Sequence, residues 1–240
     1  MSPAPKCCPQ EQESQILAAA AECIEETSLL DFTMSQVAKR AGMSMGSIYK
    51  HVHSKEDVLI ALATCGFRNL NEVFGRILVT PLSIPEQLIA ISLLDFNRVD
   101  SYPFSRYLEM LVSNEALVKR ASANWLEKMQ AANENVSKLF NAHFQSAIER
   151  GELIADGDID SYVEELNMGI WAMNVGYIQV ALQVHALDMS EVERMPFPLS
   201  GDDPHILNSQ RLINSYRWQK PLDNKGILRA IDTLQNLGFR

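Results

Sequence analysis

Between Thr33 and Asp57 the chain carries capping, turning and hydrogen-bonding residues at a spacing suited to reading a DNA groove. Thr33 followed by Gln36 makes a capping box, in which the hydroxyl accepts the N–H of residue 36 and the amide side chain reaches back to the helix start. A helix is therefore expected from Met34. It should close at Gly42, which tolerates the left-handed conformation that ends a helix in a sharp turn. Ser44 then caps a second helix, and Ser54, Lys55 and Glu56 open a third. Val37, Ala41, Met43, Ile48 and Val52 are spaced to pack the first two crosswise, with Ala38 small enough for a close approach. The second helix is left to present Met45, Ser47, Tyr49, Lys50 and His51 outward. Met45, Ser47 and Lys50 are placed to meet base edges, and Tyr49 and Lys55 to meet phosphates.

Local charge agrees with that chemistry. From Thr33 to Lys55 there are four bases, Lys39, Arg40, Lys50 and Lys55, and no acid, although the chain as a whole has 21 basic and 30 acidic side chains and a net charge of -9. DNA affinity arises from counterions released at the contact surface, so an acidic protein with a basic patch is not excluded. Four bases over this length are also what an ordinary solvated surface carries; the caps, the turn glycine and the tyrosine at fixed offsets favour DNA.

The stretch resembles the TetR family of bacterial transcriptional regulators. The matching residues are Thr33, Ala41-Gly42, Ser44-Met45-Gly46-Ser47-Ile48-Tyr49 and Ser54-Lys55-Glu56, preceded by Ile16-Leu17-Ala18-Ala19-Ala20, which is similar to the family's first helix. One position departs: after His51 the family commonly has phenylalanine, and Val52 stands here, so the small core under the reading helix should be packed differently. The resemblance implies an all-α protein, with a three-helix helix-turn-helix DNA-binding domain over residues 10–70 and a larger helical effector-binding and dimerisation domain over 71–240. It implies DNA contacts from Thr33, Ser44, Met45, Ser47, Tyr49, Lys50, His51 and Lys55. The partners it implies are an inverted-repeat operator in double-stranded DNA, a second copy of the chain, and a small, largely apolar effector.

At 240 residues with 47% apolar content the chain can build a proper core. No G-x-S-x-G, phosphate loop or G-x-G-x-x-G is present, and Glu164-Glu165 and Asp156-Gly157-Asp158 are better explained as a solvated face and a helix start. No catalytic residue and no cofactor are expected. Cys7, Cys8, Cys23 and Cys65 lack metal-ligand spacing and His143 has no ligating partner at i+4, so no metal site is expected either. The first fifteen residues lack an apolar run, and a cytoplasmic protein close to the nucleoid is expected.

The elements behind the reading head are helical throughout. Helical periodicity covers Ser54 to about Val79, Pro85 to Val99, Pro103 to Val112 and Glu115 to Arg150, and Asp158 or Asp160 should cap the next helix. From Leu166 to Leu187 no residue is charged and more than one face is apolar, so this helix must be buried on more than one side. Its length would just span a bilayer, but Asn167, Asn174, Gln179, Gln183 and His185 are costly in lipid, which favours a protein interior. One face is expected in the subunit's own core. The other, marked by Trp171, Val175, Ile178, Leu182 and His185, is expected against a partner subunit, together with the stretch from Pro204 to Tyr216, as the resemblance implies. Phe104, Tyr107, Trp125, Met129, Phe144 and Trp171 suit an apolar effector pocket and suit plain core equally well. Met189 to Asp203 reads as a surface loop and 224–239 as one further helix. A repressor is the preferred reading; an activator, or a DNA-binding protein that organises the chromosome with the same fold, are the alternatives.

Overall fold

A computed structural model describes residues 9–187 and 197–240. Cys7 and Cys8, and the expected loop as far as residue 196, lie outside the described residues. Twelve helices and no strand occur among those described. They form two compact units, one of residues up to 67 together with 101–132, the other of 68–100 together with 133–240. The first unit therefore takes in a segment that lies beyond the 10–70 span, and each unit is built from two separate pieces of chain.

The first unit holds α1 (Pro9–Glu26), α2 (Met34–Arg40), α3 (Met45–Ile48), the start of α4 (Lys55–Leu78), α7 (Ser105–Val112), α8 (Glu115–Val118) and the start of α9 (Ala123–Glu149). Its core joins Ile16, Ala20 and Ile24 of α1 to Phe32, Val37, Ile48, Val52 and Val58, and closes with Leu108, Val112 and Trp125. The helix expected from Glu115 to Arg150 is thus two helices. Asn114 caps α8 by accepting the Ala116 N–H at 2.9 Å, and the chain turns again over Lys119 to Ser122 before α9 begins.

The second unit contains α5 (Ile84–Ser92), α6 (Phe96–Val99), α10 (Ile159–Leu187), α11 (Pro204–Ser215) and α12 (Asn224–Leu237), with the remainders of α4 and α9. All nine residues of α5 are buried. Its neighbours are α11 and α12, so the extra helix at the end of the chain is core structure. Gly226 is needed there: a Cβ would lie 2.9 Å from Glu86 Oε1 and 3.0 Å from Glu86 Cγ. Glu86 pairs with Arg229 and accepts the Ser83 N–H at 2.9 Å, and these partners hold its carboxyl below the ordinary range despite its burial. The expected helix from Pro85 to Val99 breaks after Ser92 because Asp95 opens a new one, its Oδ1 accepting the Asn97 N–H at 3.1 Å. Asp158, not Asp160, caps α10, accepting the Ser161 N–H at 2.9 Å.

Two imidazoles of this unit sit among packed helices. His143 Nε2 lies 2.7 Å from Gln87 Oε1, whose amide group donates to the carbonyls of Leu78 and Thr80 at 3.2 and 3.0 Å. With both amide hydrogens so directed, Oε1 accepts and the imidazole donates. His205 stacks on Tyr177 with centroids 4.1 Å apart, and its Nε2 is 3.3 Å from Asn174 Oδ1. Burial lowers both pKa values from the ordinary 6.5; Arg150 adds to the effect at His143, while Glu152 there and Asp203 at His205 oppose it. A depressed imidazole pKa means the unfolded chain takes the proton first, so stability should fall as pH drops from above 6.5 toward the folded-state values. Urea midpoints measured between neutral and mildly acidic pH should show this decline, and His143→Gln combined with His205→Gln should flatten it.

Candidate nucleic-acid interface

The Thr33–Gln36 capping box is formed, with Gln36 N–H donating to Thr33 Oγ1 at 3.2 Å and Thr33 N–H donating to Gln36 Oε1 at 2.7 Å. The helix it opens, α2, ends at Arg40. Gly42 has φ +64, the left-handed region, and the turn closes with Met43 N–H on the Ala38 carbonyl at 3.0 Å and Gly42 N–H on that of Lys39 at 3.3 Å. This paired closure satisfies carbonyls that a helix end leaves open. Ser44 then accepts the Ser47 N–H at 3.2 Å and starts α3, a single turn of four residues.

On α3 and just after it, Met45, Tyr49 and Lys50 are exposed and Ile48 is fully buried, the split a reading helix needs. Ser47 is half-buried with Oγ 3.0 Å from that of Ser44, so the two hydroxyls are already linked. Thr33 is exposed beside Gln36. His51 is half-buried and its Nε2 lies 3.1 Å from Gln12 Oε1 of α1, an internal partner that its sequence position does not reveal.

The four bases divide into two kinds. Arg40 pairs with Glu26 at 2.5 Å and with Glu22 at 3.5 Å, which ties α2 to α1. Lys55 donates to the Leu30 carbonyl at 2.8 Å and stands 4.6 Å above the Phe32 ring. Lys39 and Lys50 are exposed. The bases most open to phosphate are therefore Lys39 and Lys50, with Lys55 held in a fixed place at the edge.

The residues considered for an effector pocket divide between the two units, Phe104, Tyr107, Trp125 and Met129 in the first and Phe144 and Trp171 in the second. Trp125 is 2% exposed in the core of the reading-head unit, where Phe104 and Met129 also pack; Tyr107 is half-buried in that unit, Phe144 is buried in the core of the second, and Trp171 is 52% exposed. Trp125 is core because its indole fills the space behind the reading helix. Inside the second unit Ser92 and Asn174 meet at 2.7 Å, and Leu88, Ile170, Met173, Ser209, Leu212 and Ile213 close around them with no room for a water molecule. A surface groove of about 640 Å³ beside α10 is lined by Gln145, Ile148, Glu149, Gly157, Asp158, Ile159 and Asp160, three of them carboxylates and two apolar.

The residues expected against a partner subunit differ in exposure. Leu182 is 1% exposed in the single chain, Ile178 packs on the subunit's own core, and Val175 and His185 are half-buried. Trp171, Met168, Val180, Val184 and Leu187 are exposed and form the apolar surface of α10. No described helix is long and apolar enough to cross a membrane. No group of three metal-ligating side chains occurs among the described residues.

Two contacts that matter here, made by Asp57 and Trp125, escaped sequence reasoning. Asp57 is fully buried; Oδ2 accepts the His53 N–H at 2.8 Å and Oδ1 the Ser122 N–H at 2.6 Å. Trp125 Nε1 donates to the His51 carbonyl at 3.0 Å. Their partners lie 65 and 74 residues away, and no local pattern signals such pairings.

Residues 16–62 match the family model of bacterial regulatory proteins of the tetR family. No curated protein sequence matches the chain. Among solved structures, GusR of Salmonella enterica aligns over 98% of this chain and 98% of its own, with 17% identity and a TM-score of 0.52. A transcriptional regulator of the TetR/AcrR family from Thermobifida fusca YX-ER1 aligns over 86% of this chain and 99% of its own, with 20% identity and a TM-score of 0.55. The transcriptional regulator FadR of Bacillus subtilis, in complex with stearoyl-CoA, aligns over 83% and 94%, with 16% identity and a TM-score of 0.50. At these identities the likeness is one of fold.

Proposed function

We propose that the chain is a DNA-binding transcriptional regulator of the tetR kind and not an enzyme, a homodimeric repressor that holds an inverted-repeat operator and leaves it when a small, largely apolar molecule binds; the match of its reading head to the tetR family model and the shared fold support this reading. The observation that carries this reading is the row Met45, Tyr49 and Lys50, exposed on a Ser44-capped helix that follows a left-handed glycine turn. Met45, Ser47 and Lys50 face base edges; Thr33, Ser44, Tyr49, Lys50 and Lys55 serve the phosphates, and His51 orients the end of the helix through Gln12. Its place of work is the cytoplasm, at the nucleoid.

A two-fold protein requires a two-fold site, with reading helices entering successive major grooves about 34–36 Å apart or a multiple of it. The apolar surface of α10 supports such a dimer, since Met168, Trp171, Val180, Val184 and Leu187 would otherwise leave large side chains in water on one helix. The ligand proposal rests on the FadR complex with stearoyl-CoA and on the apolar interior of the second unit. Because the Ser92–Asn174 region is closed, a ligand entering there has to part its side chains. Helices α4 and α9 each contribute residues to both units and supply the covalent continuity for a signal.

Genome-wide mapping of bound sites tests regulation against chromosome organisation: a few promoter-proximal palindromes support the proposal, and a scattered array sinks it. On such a palindrome Lys50→Ala should weaken binding and reduce the salt slope by about one charge. Ser47→Ala should change which operator is preferred. Val180→Glu with Val184→Glu should give a helical monomer in sedimentation whose palindrome affinity drops by roughly two orders of magnitude, because the half-sites lose their effective concentration; a wild-type monomer at micromolar concentration would remove the dimer. Added stearoyl-CoA, or a small apolar compound found by tryptophan fluorescence, should lower operator affinity by about 5- to 150-fold, with operator weakening the ligand by the same factor. A compound that binds tightly and leaves operator affinity untouched argues for control by other means.

A further inference from the structure

Helix α3 has four residues, one turn, far below the length at which a helix is stable in water on its own. Its direction is therefore set by what holds its two ends. The N-terminal end is fixed by Ser44 and the turn at Gly42. At the other end the Ile48 carbonyl accepts the N–H groups of His51 and Val52 at 2.9 and 3.0 Å, and residues 49–54 lead the chain into α4. Two groups at the entry to α9, Ser122 just before it and Trp125 in its first turn, meet it there. The buried indole of Trp125 donates to the carbonyl of His51 at 3.0 Å. The N–H of Ser122 is accepted by Asp57 Oδ1 at 2.6 Å, while Asp57 Oδ2 accepts the N–H of His53 at 2.8 Å. Residues 51 and 53, on either side of buried Val52, are thus fastened to positions 122–125. Lys128 lies 3.8 Å above the Trp125 ring and pairs with Glu13 of α1 at 3.2 Å, holding the indole from its other face.

We propose that Trp125 and Asp57 are positioning residues for DNA reading, which hold the exit of α3 through the His51 carbonyl and the His53 N–H and so set how Met45, Ser47 and Lys50 meet the bases. The proposal rests on the DNA-reading function given above. Base-edge hydrogen bonds demand closer placement than attraction to phosphates, so loosening α3 costs operator binding more than general DNA binding. The fastening comes from a segment outside residues 16–62, so the matched region does not contain all that reading requires.

Trp125→Phe keeps an aromatic ring in the core and removes the indole N–H. Operator selected from random duplexes by the wild-type protein should bind this variant about five- to tenfold more weakly, at most the worth of one hydrogen bond to a buried carbonyl. Affinity for a non-operator duplex at the same salt should change less than about twofold, because the phosphate contacts that dominate it are untouched. In DNA-free protein, hydrogen exchange at residues 49–53 should accelerate while α10 to α12 keep wild-type protection. Should Trp125→Phe fail to fold, Ser122→Pro removes the N–H given to Asp57 while the Trp125 indole stays in place, and should produce the same two changes. A folded variant with the wild-type operator preference and wild-type exchange at residues 49–53 overturns the proposal. A wild-type protein that selects no duplex overturns the DNA-reading function instead, and the exchange measurement still decides whether these residues hold α3.

Discussion

A single turn of helix makes too few internal hydrogen bonds to keep its own direction, and the reading head is organised around that deficiency. Every neighbour of α3 contributes one constraint. Ser44 closes its N-terminus, Gly42 at φ +64 sets the angle at which it leaves α2, and Ile48 and Val52 press it into the core. Gln12 meets the ring of His51, Trp125 its carbonyl, and Asp57 the N–H of His53. Each hydrogen bond is worth only about 1 kcal/mol net, but together they leave α3 little freedom except the outward direction of Met45, Tyr49 and Lys50.

The local parts of this arrangement were legible from residue order. Capping and turning depend on partners three to five positions apart, so Thr33 with Gln36, Ser44 with Ser47 and the closure at Gly42 are read directly from spacing. Helical periodicity likewise located α4 and α7, and the uncharged run from Leu166 located α10, with ends misjudged elsewhere where a cap outcompeted propagation, as at Asp95 and Asn114. What was illegible depends on packing between distant segments. Trp125 and Phe144 have the same apolar character and similar helical settings, yet one backs the reading helix and the other lies in the second core. Charge was partly misleading for the same reason: Arg40 looks free in its own stretch and is matched by Glu22 and Glu26 of the preceding helix.

The second unit places polar groups where a purely apolar core would be simpler. Ser92 donates to Asn174 Oδ1 at 2.7 Å, and His205 Nε2 approaches the same oxygen at 3.3 Å. His143 holds Gln87, which in turn holds the carbonyls of Leu78 at the end of α4 and of Thr80 just beyond it. Such contacts fix which helices adjoin and in what register, because an unpaired polar group in a core costs more than a misplaced methyl. Helix α12 extends the pattern by pairing Arg229 with Glu86 on the buried α5.

The interleaving of the two units bears on how this protein is made and diversified. The core beneath α3 is completed by Leu108, Val112 and Trp125, which follow Val58 in the chain by at least fifty residues. During synthesis, α1 to α3 emerge with that side of their core still open, and the second unit's α5 and α6 emerge before the pieces that close it. A recombination event that exchanged reading heads at residue 70 would deliver a reading helix without its backing. The exposed surface of α3 can therefore be altered by substitution more readily than the unit can be exchanged by shuffling of whole segments.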